Sequence, residues 1–337
     1  MKVYFSTSCI MAVTTCLLFS CTPKTNDHAE TKADVKKDSI TEKTVWATPD
    51  TSTIPDDDFG KLVRYGRDLV INTAYYIGPE GTVSKNLRNK MNCTNCHLDA
   101  GTKPYAFNYL SSHARYPQYR SRENRILTLA DRINNCIERP HSGIALKLDS
   151  KEMTAMLCYM KWLGQNVPVN QHVEGDAPFK LPFIDRAADP VKGEAVYKKE
   201  CVSCHGPDGE GKMRSDNVCY EFPPLWGLHS YQPGSSMHRV YKAAAFIYAN
   251  MPNKNSTYKT PKLSVEDAYD VAAFINDDRI HKRPTNNGTV NYPNIKTKPL
   301  DYGTGPFVDS FPDLQHKFGP WGPIVKYREE NHLPTKF

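Results

Sequence analysis

Cys93-Thr94-Asn95-Cys96-His97 and Cys201-Val202-Ser203-Cys204-His205 are the residues whose spacing most constrains the chemistry of this 337-residue chain. In each, two thiols three positions apart can add across the two vinyl groups of a haem, and the adjacent histidine falls beneath the iron as proximal ligand. One such pentapeptide is also compatible with a redox pair or half a zinc site. Two of them, with no further ligand set at zinc spacing, imply two covalently bound haem c groups. Cys93, Cys96, Cys201 and Cys204 would carry the thioethers, and His97 and His205 the iron.

Each iron then needs a distal ligand. In the second half, Asn250-Met251-Pro252 lies 46 residues after His205 and ahead of an amphipathic stretch opened by Ser264 and Asp267. Met251 is the candidate there, with Met213, Met237, His229 and His238 as rivals. In the first half the matching slot, 39 residues after His97, holds Cys136 and no methionine. Cys136 is the candidate, with His113 and Met91 as rivals and a disulfide as the plainer role. Of the ten cysteines, Cys9 and Cys16 fall in a leader, Cys21 ends it and four sit in the motifs, which leaves Cys136, Cys158 and Cys219. An odd remainder in an oxidising compartment means that one thiol has another task. Cys158 lies among Met153, Met156, Leu157 and Met160 and reads as packing.

Six arginines fall between Arg115 and Arg139, with no lysine. If residues 123–138 are one helix, Arg132 and Arg139 stand one turn either side of Cys136, and Arg125 three turns back on the same face. Guanidinium groups lower a nearby thiol's pKa and grip small oxyanions with paired donors. The plainer role for any one of them is a solvated face or a clamp on haem propionates.

The elements that would position these groups repeat. A leading helix over residues 60–76, the first motif and a closing helix from Asp149 through Trp162 match a helix before Cys201, the second motif with its Gly206, Gly209 and Gly211 loop, and a closing helix over 265–274. His205 follows His97 by 108 residues, one domain per repeat. The expected fold is mainly α, two class I cytochrome c-like domains in tandem (57–163 and 187–281), a linker at 164–186 and an extended C-terminal strap at 282–337. The strap carries eight prolines and eight aromatics, too much apolar surface for a disordered tail.

Residues 1–21 read as a lipoprotein signal, with Lys2, an apolar run and Leu18-Phe19-Ser20-Cys21, so that Cys21 would be the lipidated first residue of the mature protein. Residues 22–56 are Thr, Lys, Asp and Glu with little to bury, a flexible tether. This places the chain on the periplasmic side, anchored through Cys21. No later stretch has the 18 apolar residues of a spanning helix. A net charge of +6 spread over the whole length, with mean hydropathy −0.59, is no nucleic-acid footprint.

Taken together, RYGRDLVINTAYYIGPEGTVSKN, MNCTNCHLDAG, RINNCIERPHSG, FPPLWG, AAAFIYANMP and QHKFGPWGPI make nearly the whole mature chain resemble the dihaem c-type thiosulfate dehydrogenases, which also act as tetrathionate reductases. The resemblance implies His97/Cys136 ligation at a catalytic haem, His205/Met251 at an electron-transfer haem, and substrate arginines at Arg122 and Arg132. It also implies that Cys136 carries sulfur from thiosulfate covalently, and that a c-type cytochrome or other redox partner exchanges the electrons through the second haem. Thiolate ligation lowers a haem's potential relative to thioether ligation, which sets that direction. Two departures stand out: Pro140 where the family often has serine, and Asn250 where some members have a lysine before the distal methionine. Two other readings use the same motifs: a non-catalytic dihaem electron-transfer cytochrome, and a sulfur-oxidation cytochrome acting on a carrier protein. Turnover of free thiosulfate or tetrathionate separates them.

Overall fold

Helix pairs crossing at a glycine recur in both halves of the chain. A computed structural model describes residues 47–285 and 292–337; the leader, Cys21 and most of the tether lie outside the described residues. In the first half, helix Asp58–Ile71 packs against helix Lys151–Leu163, and in the second, helix Pro190–Glu200 packs against helix Val265–Ile275. A Cβ on Gly66 would lie 2.0 Å from the carbonyl oxygen of Ala155, and one on Gly193 would lie 1.9 Å from that of Asp270. Only hydrogen fits at either crossing.

Local chemistry explains where the helices start. Asp57 accepts a hydrogen bond from the Gly60 amide, Asp189 from Val191 with Pro190 in the first turn, and Ser264 from Asp267. The closing helix of the first half is capped by Ser150, not by Asp149. The leading segment breaks at Asn72 into Asp58–Ile71 and Thr73–Ile77 instead of running to Tyr76.

The arginine-rich segment departs from expectation. Gln118–Arg120 and Arg125–Leu127 pair as an antiparallel hairpin, and the helix begins only at Leu129, ending at Glu138. Thr128 and Asp131 form a capping box that stops the helix from extending backwards. Arg125 is therefore on a strand, largely exposed and 3.6 Å from Asp131, and not on the Cys136 face.

Leu69, Ile77, Leu129, Met153, Met156 and Leu163 centre one apolar core, while Tyr197, Val240, Tyr269, Val271 and Ile275 centre the other. The C-terminal segment joins the second core through Leu300, Phe318, Trp321 and Ile324. It is packed, as its aromatics require, but it folds into two helices, Asp313–Phe318 and Trp321–Glu330, in place of an extended strap throughout. It also reaches the first half: the Tyr292 amide donates to the Arg122 carbonyl at 2.9 Å and Lys336 Nζ to Ser121 Oγ at 2.9 Å. No described helix is long and apolar enough to cross a membrane.

Candidate active site and haem-binding residues

Both motif histidines are oriented in the same way. His97 Nδ1 hydrogen-bonds to the Phe107 carbonyl, and His205 Nδ1 to the Pro223 carbonyl at 2.8 Å. A backbone acceptor on Nδ1 fixes the tautomer that leaves Nε2 as the metal-binding lone pair. Tyr109 packs on the His97 ring at 4.4 Å between centroids.

The second motif opens on a cavity of about 820 Å³ lined by Cys201, Cys204, His205, Leu225, Ile247 and Met251. Size, apolar walls and the placement of the thiols and imidazole fit a haem. Among the rivals for its far side, Met237 lines the same cavity, His229 is exposed, His238 is held by Asp278 at 2.9 Å, and Met213, which packs with Met91, Tyr220 and Tyr231, is not itself among the lining residues. Met251 closes helix Val240–Asn250, so its side chain is set by a rigid element.

In the first half, Cys136 sits in the last turn of helix Leu129–Glu138, facing the His97 imidazole, with Cys93 and Cys96 close by. Burial pushes the Cys136 thiol up, but its surroundings, with the Arg132 guanidinium foremost, outweigh it and bring it down to about 6. Burial first, and then the charge of neighbouring thiols, raises the motif thiols to about 11 at Cys93, where the Thr73 hydroxyl partly offsets it, and to about 12 at Cys96. Cys136 is thus the one thiol of this group whose surroundings favour the thiolate. His97 and Cys136 on opposing sides, with the motif thiols beside them, also fit a haem. Met91 packs with Tyr220 and Tyr231, and His113 is exposed beside Lys161.

Arg132 is partly buried and held cationic chiefly by Cys136. Arg139 caps the helix and pairs with Glu123 at 2.7 Å, so its charge is shared. Arg122 donates to the Gly234 carbonyl at 2.8 Å and lies 6.0 Å from the Tyr302 ring; burial lowers it to about 10, still cationic at neutral pH. The structure therefore brings Arg132 directly to Cys136 and sets Arg122 beside Arg139, against the C-terminal segment.

All seven described cysteines are free, so Cys158 and Cys219 form no disulfide. Burial raises both thiols, unlike Cys136. Among the described residues, no cluster of three or more His, Cys, Asp or Glu is arranged to hold a bare metal ion. Reading the sequence missed the Phe107 and Pro223 carbonyls and His141. The last is buried, hydrogen-bonded through Nδ1 to Asn89 Oδ1 at 3.0 Å, and brought down to about 4 by burial and then by the His97 charge.

Residues 83–169 match the SoxA/TsdA cytochrome c domain family, and residues 190–277 the cytochrome c family. A thiosulfate dehydrogenase of Thiomonas intermedia is 36% identical over 73% of this chain and 74% of its own length. One from Allochromatium vinosum is 37% identical over 70% of this chain and 83% of its own. The solved thiosulfate dehydrogenase (TsdBA) of Marichromatium purpuratum superposes with a TM-score of 0.66 at 30% identity, covering 77% of this chain and 55% of that one. Haem-binding cytochrome c domains and an exported, periplasmic location are both consistent with these relatives. Two cytochrome c-like domains in tandem, a cysteine facing the first motif histidine and relatives matched over 70 to 75% of this chain place it in the thiosulfate dehydrogenase/tetrathionate reductase family of c-type cytochromes.

Proposed function

We propose that this protein interconverts two thiosulfates and one tetrathionate, exchanging two electrons with an external redox partner such as a c-type cytochrome. The observation that carries the reading is the placement of Cys136, which faces His97 with Arg132 beside it and the motif thiols Cys93 and Cys96 close by. Two haems, bound at Cys93/Cys96 and Cys201/Cys204 with His97/Cys136 and His205/Met251 as ligands, would supply two one-electron acceptors. The chain's own residues do the sulfur chemistry. Arg132 holds a thiosulfate dianion with its sulfane sulfur toward Cys136, and Arg122 contributes a second cation nearby. The Cys136 thiolate forms an S–S bond to that sulfur with loss of two electrons, giving a protein S-thiosulfonate. A second thiosulfate attacks the same sulfane sulfur, so tetrathionate leaves and the Cys136 thiolate returns. In the opposite direction Cys136 attacks tetrathionate and expels one thiosulfate. Steady-state turnover of free thiosulfate and of tetrathionate by the purified holoprotein tests the reading; turnover of neither would contradict it.

The two remaining cysteines take no part in this scheme. Cys158→Ala and Cys219→Ala should each cost at most roughly 1 to 3 kcal/mol of stability and leave turnover near wild type. Loss of turnover in either variant, folded and fully haem-loaded, would move the sulfur chemistry away from Cys136.

The proposed location is the periplasmic face of a membrane, with the chain anchored through lipidated Cys21. Wild-type protein is expected to fractionate with membranes, and Cys21→Ser to be soluble or unprocessed. A wholly soluble wild type would remove the anchor.

A further inference from the structure

Asn250 is fully buried, and its amide faces two ways. Nδ2 donates to the Phe246 carbonyl within its own helix and to the Tyr105 carbonyl of the first half, each at 3.1 Å, while Oδ1 is buried without a partner. An amide that leaves half its hydrogen-bonding capacity unused is a poor choice for stability alone. Around it, the Phe246 and Phe107 rings stack at 5.6 Å and 10°, Tyr105 packs on Tyr258 at 4.6 Å, and Lys103 Nζ donates to Asn253 Oδ1 at 3.1 Å. Residues 103–107, whose Phe107 carbonyl holds His97 Nδ1, are therefore fastened to residues 246–258, which contain Met251. Tyr105 (φ 60°) and Phe107 (φ 51°) both have left-handed backbones, which bulky side chains keep only where their surroundings impose it.

We infer that Asn250, with the Phe107–Phe246 stack, is a positioning residue that couples the methionine side of the second centre to the histidine side of the first. The inference rests on the ligand set proposed above. A shift of the 103–107 segment changes how the Phe107 carbonyl meets His97 Nδ1–H, and that hydrogen bond tunes the basicity of the ligand and so the potential of its centre. A residue of the second domain thereby sets a property of the first.

The test is a redox titration and low-spin electron paramagnetic resonance of the full holoprotein. Asn250→Leu should keep the far-red charge-transfer band of methionine–iron(III) ligation, yet shift both the potential and the resonance signature of the first centre. Phe246→Leu, which removes the stack and leaves the hydrogen bonds, should shift them the same way. Lys103→Ala, which cuts only an exposed contact, should leave both at wild-type values. If Asn250→Leu and Phe246→Leu change the second centre alone, the coupling is wrong. Should Asn250→Leu fail to load haem, Phe246→Leu decides by the same two readouts. Failure of the ligand set shows up separately, as a far-red band that survives Met251→Gly.

Discussion

Cys136→Met is expected to retain two six-coordinate haems, raise the potential of the first, and lose nearly all thiosulfate turnover. Methionine replaces a thiolate with a thioether, which still binds iron but offers no anionic sulfur to form and release an S–S bond. A cysteine that only set the potential would tolerate this change. The variant separates the two roles: turnover within about tenfold of wild type, a barrier change of roughly 1.4 kcal/mol, would contradict covalent transfer. His97, held by the Phe107 carbonyl, and the motif thiols Cys93 and Cys96 are untouched by the substitution, so haem attachment should persist.

Arg132→Met has the second largest expected effect. Arg132 is the strongest of the charges that offset burial at Cys136 and bring it down to about 6. Removing a cation at such range moves a pKa by roughly 1 to 3 units, here upward. In wild type, reaction of Cys136 with tetrathionate should fall as pH drops and the thiolate takes up a proton, because the thiolate is the nucleophile. In Arg132→Met that limb should move to higher pH, and reactivity at neutral pH should drop roughly tenfold or more. Arg132→Lys keeps the charge but loses the paired donors, so it should hold the limb in place and mainly raise KM. An unmoved pH profile in Arg132→Met would show that His97 and Arg139 suffice to hold the thiolate.

Most of the site was legible in the sequence because covalent haem attachment demands thiols and imidazole at fixed local spacing. Cys136 and Met251 were singled out on a related ground, their place ahead of each closing helix, and the structure puts each at the end of the helix before it. The hairpin at 118–127 was not, since strands of three residues carry no usable period, and the arginine run drew a helix over it. Thr128 and Asp131 did carry the correcting signal, a capping box at the true helix start. Gly66 and Gly193 become meaningful only when the two helix pairs are laid side by side, because close approach is a tertiary requirement. The Phe107 and Pro223 carbonyls leave no trace in sequence, since every residue has one. In the C-terminal segment, aromatic content announced burial correctly, while its prolines concealed two helices, Asp313–Phe318 and Trp321–Glu330.

The central claim is that Cys136 carries a thiosulfate-derived sulfur covalently. Tetrathionate alone can load it, because displacement of one thiosulfate by the thiolate needs no electron acceptor. Peptide mass spectrometry of holoprotein treated with tetrathionate, digested under acidic, thiol-free conditions, reads this directly. The account predicts an added S–SO3 group on the peptide containing Cys136, lost on incubation with excess thiosulfate, with Cys158 and Cys219 unmodified. An active enzyme with no adduct on Cys136, or with the adduct only on Cys158 or Cys219, would contradict it.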